Sequence, residues 1–296
     1  MTKLTYYPGC TLKNHARNFD VSTVSSMGSL DVEIEELPRW NCCGTVHCLS
    51  SENIINRLAP VTNLIRVKEM GSSEFMTGCA MCYNTLKRAN LDVKKRADVL
   101  DTINDFIYQE ETKYAGEVDV LHLLEYLRDR VTFEKLAAKV KKPLTGLKVA
   151  CYYGCLLVRP KEVAFDDVEN PVVMEDLIVA LGGIPVPFPM KADCCGAYHT
   201  VSNPEIIADR TNKIMGSAAE EEADLVLVSC PLCAYNLDFR QVDAKQLNPD
   251  FKHLPVLYFT QLMALAFGCD ESALRFDLHH IDPTPVLTGR GLMNLV

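Results

Sequence analysis

Residues 40–48 read WNCCGTVHC and residues 192–200 read ADCCGAYHT. Each stretch holds two adjacent cysteines and a glycine, with a histidine (His47 or His199) four residues after the second cysteine. The pair is the centre of a longer repeat. Cys10 in YYPGC (6–10) precedes Cys42 and Cys43, and Cys155 in YYGC (152–155) precedes Cys194 and Cys195. GCAMC (78–82) brings Cys79 and Cys82 after the first pair, and SCPLC (229–233) brings Cys230 and Cys233 after the second. The spacings are C-x31-CC-x35-C-x2-C and C-x38-CC-x34-C-x2-C. Similarity continues into VDVLHLLEYL (118–127) against LPVLYFTQLM (254–263). Self-similarity on this scale means one structural unit used twice.

Each copy alternates strand-like and helix-like segments. LTYY (4–7) and KVACYY (148–153) run into a Gly-Cys turn. DVEIEEL (31–37) and IPVPF (184–188) precede the paired cysteines, and EFMT (74–77) and LVLVS (225–229) lead into the CxxC. SNPEIIADR (202–210) opens a helix, with Asn203 placed to cap, Pro204 at the first helical position and Ser202 with Glu205 as a capping box. Other helices are expected to stop at Gly71, at Gly182–Gly183 and at Gly268. Such alternation implies an α/β fold with parallel sheets. The expected architecture is two similar domains related by internal duplication. Each is a small parallel sheet flanked by helices, with its cysteines at the strand C-terminal ends, where sites form in such sheets. The expected divisions are a first domain at 1–127, a linker helix at 128–147 ending before Pro143, a second domain at 148–268 and a tail at 269–296. The linker carries six Lys/Arg against two Asp/Glu and reads either as a solvated face or as a docking surface.

The 296 residues suffice for two cores, and 48% apolar with 23% charged residues is ordinary for a globular protein. A net charge of -9 argues against nucleic acid as the main partner. No apolar run approaches membrane-spanning length, and MTKLTYYPGC has no signal-peptide core, so a cytoplasmic protein without a membrane span is expected. Thirteen cysteines is an odd number in a chain too large to need disulfide staples, and adjacent cysteines pair poorly with each other. The thiols therefore point to metal. Structural zinc takes four ligands, as does a cubane 4Fe–4S cluster, whereas each copy here offers five. Two consecutive thiolates suit an assembly in which neighbouring irons are held together or one sulfur bridges two irons.

The motifs resemble those of the CCG-domain proteins, most closely the B subunit of heterodisulfide reductase from methanogenic archaea. The likeness rests on YYPGC (Tyr6–Cys10), NCCG (Asn41–Gly44), YGCLLVRP (Tyr153–Pro160), NP (Asn170–Pro171) and CCGAYH (Cys194–His199). It implies two noncubane 4Fe–4S clusters, one on Cys10, Cys42, Cys43, Cys79 and Cys82, the other on Cys155, Cys194, Cys195, Cys230 and Cys233. It also implies reduction of the coenzyme M–coenzyme B disulfide to two thiols by two one-electron transfers, each cluster holding one sulfur. The chain has no C-x2-C-x2-C-x3-C-P run and no GxGxxG motif, so electrons must come from partners. By the resemblance these are the ferredoxin-like (C) and flavin-bearing (A) subunits of heterodisulfide reductase, fed by an upstream hydrogenase or formate dehydrogenase. The rival readings are a CCG protein acting on another thiol or disulfide, one passing electrons in lactate, glycolate or sulfur metabolism, and a non-catalytic metal scaffold.

Cys48, Cys151 and Cys269 have no counterpart in the other copy and read as packing residues. His47 and His199 read either as catalytic groups that protonate a product thiolate or donate to a cluster sulfide, or as structural hydrogen-bonding groups. His279 and His280 read as packed or surface residues. A substrate bearing sulfonate, carboxylate and phosphate needs cations. Lys13, His15 and Arg17 follow the first Gly-Cys turn, Arg159 and Lys161 follow the second, and Lys191 precedes the second CCG. Arg159 is the first choice for substrate binding, with Lys13 and Lys191 beside it.

Overall fold

The computed structural model describes residues 2–45 and 53–294. His47 and Cys48 lie outside the described residues. The first half runs β1 (Thr2–Tyr6), α1 (Gly9–Asn14), α2 (Arg17–Ser29), β2 (Val32–Glu36), α3 (Leu58–Glu69), β3 (Glu74–Thr77), α4 (Ala80–Lys95), α5 (Ala97–Phe106), β4 (Asp119–His122) and α6 (Leu123–Tyr126). A short helix α7 (Phe133–Ala137) leads to β5 (Lys148–Tyr152), α8 (Val173–Ala180), β6 (Ile184–Pro185), α9 (Pro204–Glu220), β7 (Leu225–Val228), α10 (Pro231–Phe239), α11 (Gln241–Leu247), β8 (Val256–Tyr258) and α12 (Phe259–Ala266). A final helix, α13 (Thr284–Gly289), closes the tail.

Two four-stranded sheets result, ordered β2-β1-β3-β4 and β6-β5-β7-β8, with every pairing parallel. The duplicated α/β architecture is therefore present. Strands covered on both faces become continuously apolar. In β7 all four residues, Leu225 to Val228, are buried. Gly71, Gly182 and Gly268 do end helices. At Gly182 the left-handed backbone lets its N–H reach Val179 O while Gly183 N–H reaches Ile178 O.

Three local expectations need correction. IPVPF forms only a two-residue strand, because Pro185 and Pro187 lack the N–H that a longer ladder requires. The stretch expected as one linker helix is a π-helical turn (Leu127–Val131), a break at Thr132 with φ 68°, and the five residues of α7. Asn203 stands at the helix start but its side chain does not cap. It accepts from Ser202 Oγ and faces His199 Nδ1, and the expected box with Glu205 does not form. In addition, VDVLH and LPVLY, read from sequence only as similar, each contain a strand, β4 and β8, followed directly by a helix.

The halves are sewn together by side chains. Phe19 stacks on Tyr258 at 4.3 Å and His122 stacks on Phe165 at 5.6 Å. Ser22 and Thr260 hydroxyls meet at 2.6 Å, and Tyr83 donates to Val163 O. Asn84 donates to the carbonyls of Leu156 and Arg159, so the first half holds the loop that follows Cys155.

Candidate metal centre

The cysteines follow the C-terminal ends of parallel strands. Cys10 and Cys155 lie just past β1 and β5, and Cys79 and Cys230 just past β3 and β7. Gly9 and Gly154, immediately before the first cysteine of each set, have φ +73° and +66°. A Cβ on Gly9 would meet Cys82 Sγ at 2.9 Å, and one on Gly154 would meet Cys233 Sγ at 3.3 Å. Glycine is thus what lets the last sulfur of each CxxC approach the first turn. A tyrosine two residues earlier fixes the third element. Tyr7 donates to Asn41 O and Tyr152 to Asp193 O, each the carbonyl just before a cysteine pair.

These supports gather the thiols. Cys10 and Cys42 sulfurs are 3.6 Å apart and Cys43 and Cys82 are 3.7 Å apart. In the second set Cys195 and Cys233 are 3.3 Å apart, and Cys155 hydrogen-bonds Cys194. All are free thiols, since a disulfide would place sulfur near 2.05 Å from sulfur. Among the described residues no three His, Cys, Asp or Glu converge on the position of a single metal ion. The sulfurs pair off along a span. Across the halves, Ala80 N–H donates to Ser229 O at 3.3 Å, so Cys79 and Cys230, the neighbours of those residues, face each other closely enough to perturb each other's ionisation. The two sets therefore adjoin.

Their electrostatics follow from crowding. The hydrogen bond from Cys155 holds Cys194 down to about 6 and pushes Cys155 well up. Cys10 is pushed up by its bond to Cys42 and then by burial. Neighbouring thiols cannot all ionise unless positive charge is supplied. Five soft donors that share protons in this way fit an iron–sulfur cluster.

The other candidates sit as follows. Exposed His199 faces Asn203 Oδ1 at 3.3 Å. Lys13 pairs with Asp20 at 3.0 Å and Glu36 at 2.7 Å. Arg159 donates to Ala192 O and pairs with Glu169 at 3.2 Å, while Lys191 donates to Pro171 O and pairs with Glu175 at 3.1 Å. All three cations have protein partners. Cations of an open cleft of about 280 Å³ between the halves, Arg57, Arg88 and Lys95, were not singled out by sequence. Nothing in local spacing marks them, since the cleft forms only when α4 meets the loop at 160–163. Cys151 is buried in β5, where desolvation raises its pKa, and Cys269 lies 3.4 Å from Ser29 Oγ. His122 was also missed. It ends β4, takes Leu124 N–H on Nδ1 and puts Nε2 2.9 Å from Gly78 O, beside Cys79. Burial lowers its pKa to about 3, so the ring is neutral. The matching of VDVLH to LPVLY marked this position, where the second half has Tyr258.

A double α/β unit with five thiols at each sheet edge defines a cysteine-rich iron–sulfur class. The family model for the CCG cysteine-rich domain matches residues 4–87 and 149–238. The chain belongs to this family and carries its domain twice. It is 34% identical over 284 residues to the 8-methylmenaquinol:fumarate reductase membrane anchor subunit of Wolinella succinogenes, covering 95% of this chain and 98% of that one. It is 28% identical over 288 residues to the B subunit of the ferredoxin/F420H2-dependent CoB-CoM heterodisulfide reductase of Methanosarcina acetivorans, covering 95% and 94%. The crystal structure of a hypothetical protein from Helicobacter pylori superposes with TM-score 0.76 at 13% identity, over 94% of this chain but only 52% of that one, and shows the fold alone. No helix among the described residues is long and apolar enough to cross a membrane.

Proposed function

We propose that the chain is the disulfide-reducing subunit of a heterodisulfide reductase acting on the coenzyme M–coenzyme B disulfide. The observation that supports this reading is the bond from Ala80 N–H to Ser229 O across the halves, which sets Cys79 beside Cys230 and the two five-cysteine sets side by side. Cys10, Cys42, Cys43, Cys79 and Cys82 would hold one noncubane 4Fe–4S cluster, and Cys155, Cys194, Cys195, Cys230 and Cys233 the other. Bound there, the clusters would supply two electrons singly, which suits cleavage of one S–S bond without release of a thiyl radical.

The protein's own groups prepare the place. A small apolar hollow runs between Met81 of the first half and Leu156 and Tyr198 of the second, opening on Cys194 and Cys230. Apolar walls exclude water from a reacting disulfide. Arg88 and Lys95, in a cleft that also holds the Arg57–Asp92 pair and Glu162, would supply positive charge for acidic substrate groups. His199, exposed beside the second CCG turn, would return a proton to a product thiolate. Electrons would arrive from the ferredoxin-like and flavin-bearing subunits of such a reductase, in a cytoplasmic complex fed by a hydrogenase or formate dehydrogenase.

The test is anaerobic. The intact protein should carry about eight irons and reduce the disulfide with a viologen donor. Cys43→Ala and Cys195→Ala should each abolish turnover while keeping the iron of the untouched half. Substantial turnover by either variant, shown to lack one cluster, overturns the paired reading. A second reading, an electron-passing component of a quinol-linked reductase, is favoured by the 34% identical Wolinella relative. It predicts full iron content with no disulfide turnover.

A further inference from the structure

A groove of about 510 Å³ opens at the end of the molecule remote from the cysteines. That size is usual for a small-molecule site. One wall is the start of β2, from Leu30 to Val32. Tyr126, at the end of α6, forms the floor, and the linker with Arg130, Lys135 and Lys139 forms the other wall. Val32 opens β2, and Glu74, which pairs with Arg130, opens β3. Both mark the N-terminal ends of parallel strands, whereas the cysteines follow the C-terminal ends. The groove also spans a joint. α7 packs against α8, and the N–H groups of Lys141 and Lys142 both reach Ala266 O in α12, so the linker is fastened to the second half. The facing wall belongs to the first half, and Lys139 and Asp31, 2.6 Å apart, bridge the two.

The linker's cations divide by what they meet. Arg128 is occupied with Asp129 and Phe165 O. Arg130, Lys135 and Lys139 line the groove against one carboxylate, Asp31, so three positive charges and one negative leave a net +2. Arg130 also reaches Glu74 at 3.4 Å, outside the groove, but both side chains are open to water and such a pair yields readily to a stronger acceptor. Lys135 has no ion-pair or hydrogen-bond partner among the described residues. It stands on α7 one turn before Lys139, and the small Ala138 beside them leaves room. Tyr126 is only 5% exposed, yet its hydroxyl bonds to no protein group among the described residues and is not fully enclosed. What remains open of this side chain faces the groove. A buried phenol ordinarily has a hydrogen-bond partner, and here that partner has to come from outside the chain. Leu30, Val32 and Val131 add an apolar side.

We propose that this groove binds a small organic phosphate. The phosphate dianion matches the net charge of the lining and accepts hydrogen bonds from Arg130, Lys135, Lys139 and the Tyr126 hydroxyl, all of which can donate. The organic body lies on Leu30, Val32 and Val131. A monocarboxylate brings half the charge and leaves part of the lining unmatched. The bound molecule touches the first half and the linker at once, so occupancy fastens the two halves to each other from the end opposite the cysteines. The site does not rest on the function proposed above.

The probe is phenyl phosphate, titrated by calorimetry into the anaerobically purified full chain. The expected result is saturable one-site binding, weakened about tenfold in Lys135→Ala and less in Tyr126→Phe. Lys135 is exposed and Tyr126→Phe keeps the ring, so both variants should fold and keep their iron. Phenyl phosphate should raise the unfolding midpoint of the parent and raise that of Lys135→Ala far less. Inorganic phosphate, which has the dianion without the body, should compete at lower affinity, and benzoate, a monoanion, should not compete. Unsaturable heat, or equal affinity in Lys135→Ala, overturns the proposal. So does a loss of the same size in Arg88→Ala, which would place the anion in the cleft beside α4. Binding to phosphatidic acid vesicles with no affinity for soluble phosphates also overturns it and makes this face a lipid-binding surface.

Discussion

Lowering the pH from 7 to 5 should cost this protein about 2 kcal/mol of stability through His279 alone. His279 lies in the tail with only 4% of its side chain exposed. Its Nε2 accepts from the amide of Asn18 in the first half, at 3.0 Å, and from that of Gln261 in the second, at 2.8 Å. The Gln261 orientation is fixed, because its oxygen takes Tyr258 N–H and its nitrogen also donates to Leu274 O. A proton on Nε2 would face two donors, and the one acceptor in reach, Gln261 Oε1 at 3.2 Å, is already taken by Tyr258 N–H. Asp238 stands 3.8 Å from Nδ1, but its two oxygens are committed to the backbone of His280 and Ile281. Burial, the largest influence, lowers the pKa to about 4. Since the folded value lies below the ordinary 6.5, the unfolded chain takes the proton first. Stability is full above the ordinary value, falls by about 1.4 kcal/mol for each pH unit below it, and levels off near the folded value. His279→Gln removes the titration. The assay is guanidinium unfolding of the anaerobic protein at both pH values, followed by fluorescence of Trp40, the only tryptophan. Acid lability of bound iron affects parent and variant alike, so the difference between their pH shifts isolates the histidine. An identical shift in both would refute the buried neutral ring.

Gly9→Ala should lose the iron of the first set and keep that of the second, because the new methyl displaces Cys82 Sγ and the residue's φ is left-handed; unchanged iron and acid-labile sulfide would show that the turn adapts. Cys151→Ala and Cys269→Ala should each retain full iron content, since the first is enclosed in β5 and the second is occupied with Ser29; loss of a whole cluster in either would redraw the ligand sets. Tyr7→Phe should destabilise the first half by about 1 kcal/mol, read as a lower unfolding midpoint, because Asn41 O loses one of its two donors and keeps only the Asn63 amide.

The cysteine repeat was legible because it is written in fixed covalent spacing, and the parallel sheets followed from strand and helix alternation. Two strands were not read, although β4 and β8 lie in the stretches that repeat. Each runs into a helix without a turn, so VLHLL and VLYFT show no boundary. Cations were visible as residue types but not as partners: Lys13, Arg159 and Lys191 owe their positions to Asp20, Ala192 and Glu175. His122 carried no local signal for its bond to Gly78 O, which spans 44 residues.

The seam between the halves is also where their likeness ends. Ala80 N–H reaches across to Ser229 O. The reciprocal bond, from Pro231 to Gly78 O, has no hydrogen to make it, and His122 serves Gly78 O instead. Two identical chains meeting here would have to repeat one arrangement on both sides. Fusing the copies into a single polypeptide lifted that symmetry, so each side of the seam can be tuned by substitutions that leave its twin untouched. The duplicated protein thereby has a left and a right, as recognition of a molecule with unlike ends demands.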